Sequence, residues 1–260
     1  MSGGIRMLVS VLASGSEGNC TYVETADAKI LIDLGMNTKY ITEKLNELGV
    51  SACDITHIIM THTHSDHIGA ITTFIKKYHP QICLTRNMYQ ELPILQKYEN
   101  LNFETKVITV KNTKIECFKT SHDAIDSRGY IINDENTSLV YMTDTGYLNQ
   151  KFFNKLSNKN IYIIESNHDV EMLLNGRYPK WLKTRILSDK GHLSNNAAGF
   201  YLSKLIGPKT KKVILAHLSH ENNTKEEALK TVHKTLKEYD VDFKEIIVAE
   251  QRCKTEEIKL

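Results

Sequence analysis

With 260 residues, 41% hydrophobic and 25% charged, the chain has the length and composition of one globular domain over residues 1–260, and no apolar run approaches the roughly twenty residues of a membrane helix. Its net charge of +2 is too small to establish a nucleic-acid partner, so attraction to one would have to come from local clusters of Lys and Arg. The five cysteines, Cys20, Cys53, Cys83, Cys117 and Cys253, are odd in number and lack a CxxC pair, which argues against a disulfide framework and predicts reduced, mostly buried thiols in a cytoplasmic protein.

In chain order, residues 8–13, 21–25 and 30–33 read as strands. The apolar run 7–14 ends in small residues but is short and lacks a basic leader, so a first strand explains it better than an export signal. Residues 38–48 have helical periodicity that Gly49 ends. A buried strand at 55–60 runs directly into Thr61-His62-Thr63-His64-Ser65-Asp66-His67-Ile68-Gly69. Three imidazoles and a carboxylate so close together suit zinc or manganese, with His62 and His64 aimed at one ion and Asp66 and His67 at an adjacent one. A solvated histidine-rich turn would have the same composition, but density of this kind beside a β-like run favours a metal site. Ser65 or Asp66 is expected to cap a helix running from about residue 67 to 78. Strands at 103–110, 114–119, 129–132 and 138–142 follow, with a turn at 133–136. The last third reads as mostly helical, interrupted by strands at 161–165, 212–216 and 245–248. No repeat, low-complexity tract or Pro/Gly/Ser linker marks a second domain, and the element pattern is α/β.

The HxHxDH pattern at 62–67 resembles the signature of the metallo-β-lactamase-fold hydrolases. More narrowly, LASGSEGN (12–19), SHDA (121–124), TDTGY (143–147), ESNHDVEMLLNGRYP (165–179), RILSDKGHLSN (185–195) and LAHLSHENN (215–223) resemble the YycJ/WalJ-type branch over nearly the whole chain. Residues 180–184 and 196–198 depart from that branch's wording and leave the metal-binding motifs intact. The resemblance implies a four-layer αββα sandwich whose strands end in metal-binding loops. Asp33, His122, Asp144 and His217, each following a strand-like run, are the matching residues here. It also implies a cytoplasmic two-metal phosphodiesterase acting on nucleic acid, foremost a DNA exonuclease linked to DNA repair. Carried over, one divalent ion (zinc or manganese) would be held by His62, His64 and His122, the other by Asp66, His67 and His217, with Asp144 bridging. Water between two such ions ionises near pH ~7 and would attack phosphorus in line. A cyclic-nucleotide phosphodiesterase, a thioester or lactam hydrolase, and a non-catalytic nucleic-acid-binding protein remain alternatives, because fold does not choose among them.

Asp66 and His192 are the expected catalytic side chains. His192 either protonates the leaving 3′-oxygen or is a structural histidine bonded to backbone; Ser194 or Asn195 can cap the next helix beside it. Asp33 either orients a metal-binding histidine or ends a strand in a turn with Gly35. The loop containing Ser14, Ser16 and Asn19 can offer backbone N–H groups to a phosphate or be a tight β-turn, and it lacks both glycine-rich phosphate-loop patterns. Asn222 and Asn223 either contact substrate or cap the helix beginning near Thr224. Arg177, Lys183 and Arg185, with Lys180, Lys190, Tyr178 and Trp181 among them, fit a DNA-guiding segment as well as a solvated helix face. His57, His79, His168, His220 and His233 are given no ligand role, and Met172, Leu173 and Leu174 read as core.

Overall fold

Side chains that alternate between two cores, on strands covered on both faces, set the architecture. In a computed structural model, which describes residues 7–103 and 106–260, the strands are β1 Met7–Ala13, β2 Cys20–Thr25, β3 Lys29–Ile32, β4 His57–Ile59, β5 Gln81–Cys83, β6 Leu101–Asn102, β7 Val107–Val110, β8 Thr113–Lys119, β9 Arg128–Asp134, β10 Thr137–Met142, β11 Ile161–Glu165, β12 Lys212–Ala216, β13 Ile246–Val248 and β14 Ile258–Lys259. One sheet has the order β14-β1-β2-β3-β4-β5-β6 and the other β13-β12-β11-β10-β9-β8-β7. Along β1, Met7, Val9 and Val11 enter the core between the sheets, where they join Ile161, Ile163 and Ile214. Leu8 and Leu12 point the other way, toward Ile41, Leu45 and Phe74 of the helices Thr38–Glu47 and Ile71–Tyr78. In the second sheet Leu139 and Tyr141 face inward. Val140 and Met142 face Leu202 and Val232 of the helices Asn195–Leu205 and Lys225–Glu238. The result is an αββα sandwich, and strands buried on both faces read in sequence as continuous apolar runs.

β3 pairs with β4 in parallel, as do β10, β11 and β12 with one another. β8 lies antiparallel to β9, which is antiparallel to β10, so β8 points the same way as β10. The C-terminal ends of these strands therefore emerge at one edge, where their following loops meet.

Several expectations are corrected. The helix expected over 67–78 is two pieces, Ser65–Ile68 and Ile71–Tyr78. Leu34 takes the carbonyl of His67 and its own carbonyl receives the N–H of Ala70, so these groups pair across to the first sheet instead of continuing one helix. Neither Ser65 nor Asp66 caps it; His64 occupies the N-cap position without a side-chain bond. The short strands β5, β6 and β14 carry two or three residues each and leave no periodicity to read. Of the strand expected at 103–110, residues 107–110 are β7, and Glu104 and Thr105 lie outside the described residues. Leu174 is 50% exposed and is not core. Cys20 and Cys83 are buried, but Cys53 and Cys253 are exposed, so the thiols are not mostly buried.

Candidate metal centre and cleft

Three of the strand-end residues leave the sheet in the left-handed conformation: Asp33 with φ 59°, Asp144 with φ 55° and His217 with φ 57°. That backbone costs an ordinary L residue on the order of 1–2 kcal/mol, and surrounding bonds must hold it. They are present. Thr61 donates to Asp33 through its N–H (2.8 Å) and its hydroxyl (2.6 Å), and the His217 N–H donates to Ser14 Oγ at 2.7 Å. Gly35 lets the loops close in: a Cβ there would lie 1.7 Å from the Asp66 carbonyl oxygen and 2.2 Å from Asn19 N.

Possible donor atoms of His62, His64 and His122 lie within 4.8 Å of one another, as do those of Asp66, His67 and His217, and those of His62, His67 and Asp144. Asp144 stands between the first two groups. Its Oδ2 is 3.3 Å from His67 Nε2 and its Oδ1 is 3.8 Å from His122 Nε2. Asp66 Oδ2 is 3.4 Å from His67 Nε2 and 3.6 Å from His217 Nε2.

The far ring nitrogens are already engaged: His67 Nδ1 by Asp33 at 2.8 Å, His217 Nδ1 by Glu165 at 2.9 Å, His122 Nδ1 by the Gly191 carbonyl at 3.2 Å, and His62 Nδ1 by Thr61 Oγ1 at 3.0 Å. This fixes each Nε2 as the inward-facing atom. His62 Nε2, His217 Nε2 and Asp144 Oδ2 are buried without a hydrogen-bond partner. Each such atom costs about 1–3 kcal/mol unless something satisfies it. Convergent imidazole and carboxylate donors, orphaned toward one space, fit divalent cations.

The electrostatics agree. Burial, and then the proximity of His67, push His62 well below its ordinary pKa, keeping it in the neutral form that binds metal. Burial would raise Asp144 and Asp66, but neighbouring histidines, His217 foremost, hold both well below the usual carboxylate range. Burial opposes the charge on His217, yet Asp144, Asp66 and Glu165 lift its pKa to about 10. The carboxylates that favour positive charge on His217 would favour a bound cation in the same way.

Glu165 is the residue that sequence reading missed. Fully buried at the end of β11, its Oε1 accepts from His192 Nδ1 (2.7 Å) and His217 Nδ1 (2.9 Å), and its Oε2 from the N–H groups of Thr145 and Leu193, both at 3.0 Å. Burial raises its pKa, but His192 and then His217 bring it down to about 2. The available signal was the one used for Asp33, a carboxylate closing a buried apolar run.

His192 lines the cleft above the donors, and Ser194 caps the helix Asn195–Leu205 by accepting from Ala197 N. Asn195 is instead buried and bonded to Ser166 and Asn223.

The residues nominated for substrate divide sharply. Ser14 and Asn19 are buried; Asn19 Nδ2 lies 3.2 Å from Asp66 Oδ2. The N–H groups of Ser14, Gly15, Glu17, Gly18 and Asn19 are all donated within the protein, so this loop is no open phosphate cradle. Asn222 and Asn223 are buried, and Asn223 Nδ2 is spent on the Ser166 and Asn167 carbonyls. Thr224, not either asparagine, caps the helix after them. Lys183 Nζ folds back onto the carbonyls of Leu174 and Gly176. Arg177 is exposed and outside the cleft, whereas Ser16 and Arg185 line it.

Among the described residues, no helix is long and apolar enough to cross a membrane. The family model of the metallo-beta-lactamase superfamily matches residues 13–90. Over 246 residues the chain is 39% identical to exodeoxyribonuclease WalJ of Streptococcus pneumoniae D39, covering 90% of this chain and 91% of that protein. It is 37% identical over 236 residues to exodeoxyribonuclease YycJ of Bacillus anthracis, covering 88% and 89%. The fold is that of the metallo-beta-lactamase fold protein YhfI of Bacillus subtilis, with a TM-score of 0.72 at 18% identity over 96% of this chain and 99% of that one.

Proposed function

The chain belongs to the WalJ/YycJ family of the metallo-beta-lactamase superfamily, and from that premise we propose that it is a two-metal DNA exonuclease of the cytoplasm. The observation that carries this reading is near full-length similarity to two proteins named exodeoxyribonucleases, in a chain whose donor residues converge as one cluster. His62, His64 and His122 would hold one divalent ion, Asp66, His67 and His217 the other, and Asp144 both; zinc and manganese each suit such mixed donors. When bound, these ions supply Lewis acidity toward a phosphate oxygen and an activated water.

The chain's own residues do the rest. Asp33 and Glu165 keep His67 and His217 in the tautomer whose Nε2 faces inward. Glu165 also holds the His192 ring by Nδ1, leaving its Nε2 as the atom that can carry a proton to the leaving 3′-oxygen. Asp66, low in pKa, stays a carboxylate and serves by holding positive charge, not by taking a proton. Five cysteines, none of them in a disulfide among the described residues, fit a reducing compartment.

The test is a hydrolysis panel with metal-loaded protein: linear duplex DNA, covalently closed circular DNA, RNA and cyclic nucleotides. Stepwise release of nucleotides from linear DNA alone, abolished by chelation, is expected. Cleavage of the closed circle, or turnover of cyclic nucleotides without attack on DNA, refutes the exonuclease reading.

A further inference from the structure

On the exonuclease reading, we propose that Arg185, clamped by Asp123, is the phosphate-binding side chain of the cleft, and that Asp123 is its positioning partner. Of the basic residues at 177–190, Arg185 alone shares the cleft with His64, Asp66, His122 and Asp144. Lys183 is committed to backbone carbonyls. Among the described residues Arg185 is the one Lys or Arg side chain that lines the cleft, so it is the fixed cation placed to meet a phosphate beside the metal positions.

The geometry suits the task. Arg185 reaches from the helix Lys180–Ile186 to the loop after β8, where its Nε donates to Asp123 Oδ2 at 2.5 Å. That bond uses one of the five guanidinium N–H donors. Among the described residues, the four donors on the terminal nitrogens have no hydrogen-bond partner. Asp123 Oδ1 in turn lies 3.4 Å from His122 Nε2, so the pair stands at the edge of the donor cluster. A planar fork pinned at Nε is oriented before substrate arrives, and its free edge matches two phosphate oxygens. Tyr178, Leu182 and Ile186 form the adjoining wall, an apolar surface for the sugar or base of the same nucleotide.

The test is steady-state cleavage of a short linear duplex as a function of salt, by wild type, Arg185→Met, Arg185→Lys, Asp123→Ala and Asp123→Asn, with metal content measured on each. Loss of a charge-assisted phosphate contact predicts that Arg185→Met raises KM for DNA by ~10- to 100-fold and lowers the log-log salt slope by about one unit, with a smaller fall in kcat. Arg185→Lys keeps the charge but loses the fork, and restores the salt slope more than KM. Asp123→Ala raises KM, while Asp123→Asn, which keeps an acceptor for Nε, recovers most of the loss.

An Arg185→Met protein with unchanged KM and salt slope on DNA that wild type degrades overturns the assignment while leaving the exonuclease reading intact. Loss of bound metal in both Asp123 variants makes Asp123 a metal ligand and overturns its positioning role. Wild type without DNA cleavage removes both readings together.

Discussion

Replacing Glu165 with Gln is the sharpest perturbation the site offers, because it keeps shape and volume and removes only acceptor capacity. The carboxylate accepts four bonds in a fully buried position, two from His192 and His217 and two from the N–H groups of Thr145 and Leu193. A glutamine has one acceptor oxygen and an amide that only donates. If the oxygen stays on the histidines, the amide confronts two backbone N–H groups; at about 1–3 kcal/mol for each stranded donor, the cost is roughly 2–6 kcal/mol. If the amide turns toward the histidines, both rings must give up the Nδ1 proton and carry it on Nε2, the atom His217 would offer to a metal. Stability is lost in the first orientation and metal affinity in the second, and since a domain has only ~5–15 kcal/mol of stability, either is readily measured. Denaturant unfolding with and without metal, metal content at limiting free ion, and turnover on linear DNA together read both outcomes. We expect turnover to fall by about 100-fold or more as His192 loses its fixed orientation. Stability within about 1 kcal/mol of wild type, with full metal content and near-normal turnover, would refute the reasoning.

Asp144→Ala should abolish activity and weaken both metal positions, since its two oxygens face donors of both groups; unchanged metal content with retained turnover would contradict it. His192→Ala should lower turnover by roughly 100-fold on a substrate with a poor leaving group and leave metal content intact, and metal loss would instead make His192 a ligand. Gly35→Ala should be strongly destabilising, because its new Cβ meets backbone from two other loops; a melting temperature within a degree of wild type would show that those loops can part. His168 gives a pH signature: burial lowers its pKa from the ordinary 6.5 to about 4, so between those values the unfolded chain binds a proton the folded one refuses. Stability from this group is complete above pH 6.5 and lost as pH falls toward 4, about 3 kcal/mol in all. In metal-free protein, the stability difference between wild type and His168→Gln should shift by that amount across the window, and a parallel pair of curves would count against it.

What could be read in advance was contiguous in sequence. The 62–67 cluster announces itself because its donors lie on one loop, and Asp33, Asp144 and His217 are marked by the apolar runs they terminate. Both faces of those strands are covered, so the runs are unbroken and their ends easy to see. Glu165 ends such a run too, but nothing local tells a buried carboxylate from a solvated one; that depends on His192 and His217 arriving from distant segments. The direction in which Ser14, Asn19, Asn222 and Asn223 face is equally non-local. All are small polar residues in loops beside the site, and the packing behind those loops, which turns them inward, is tertiary. Lys183 shows the same limit: its neighbours suggest a phosphate contact, while the C-terminal end of the preceding helix supplies the Leu174 and Gly176 carbonyls that claim it.

Asp33 and Glu165 occupy matching places in the two halves of the sandwich, one at the end of β3 and the other at the end of β11. A buried carboxylate is tolerable only when its charge and lone pairs are met. Asp33 meets three donors, the Thr61 N–H, the Thr61 hydroxyl and His67 Nδ1; Glu165 meets four. Neither retains an exposed oxygen for a substrate proton, so both are excluded as bases, and proton transfer falls to groups that reach the cleft, His192 foremost. Each sheet thereby fixes its own inward-facing imidazole, His67 from the first and His217 from the second. Asp66, between those two rings, depends on the sheets holding their mutual position. The core packed between the sheets is what maintains that spacing, so the site's geometry is a property of the sandwich as a whole and not of the 62–67 loop alone.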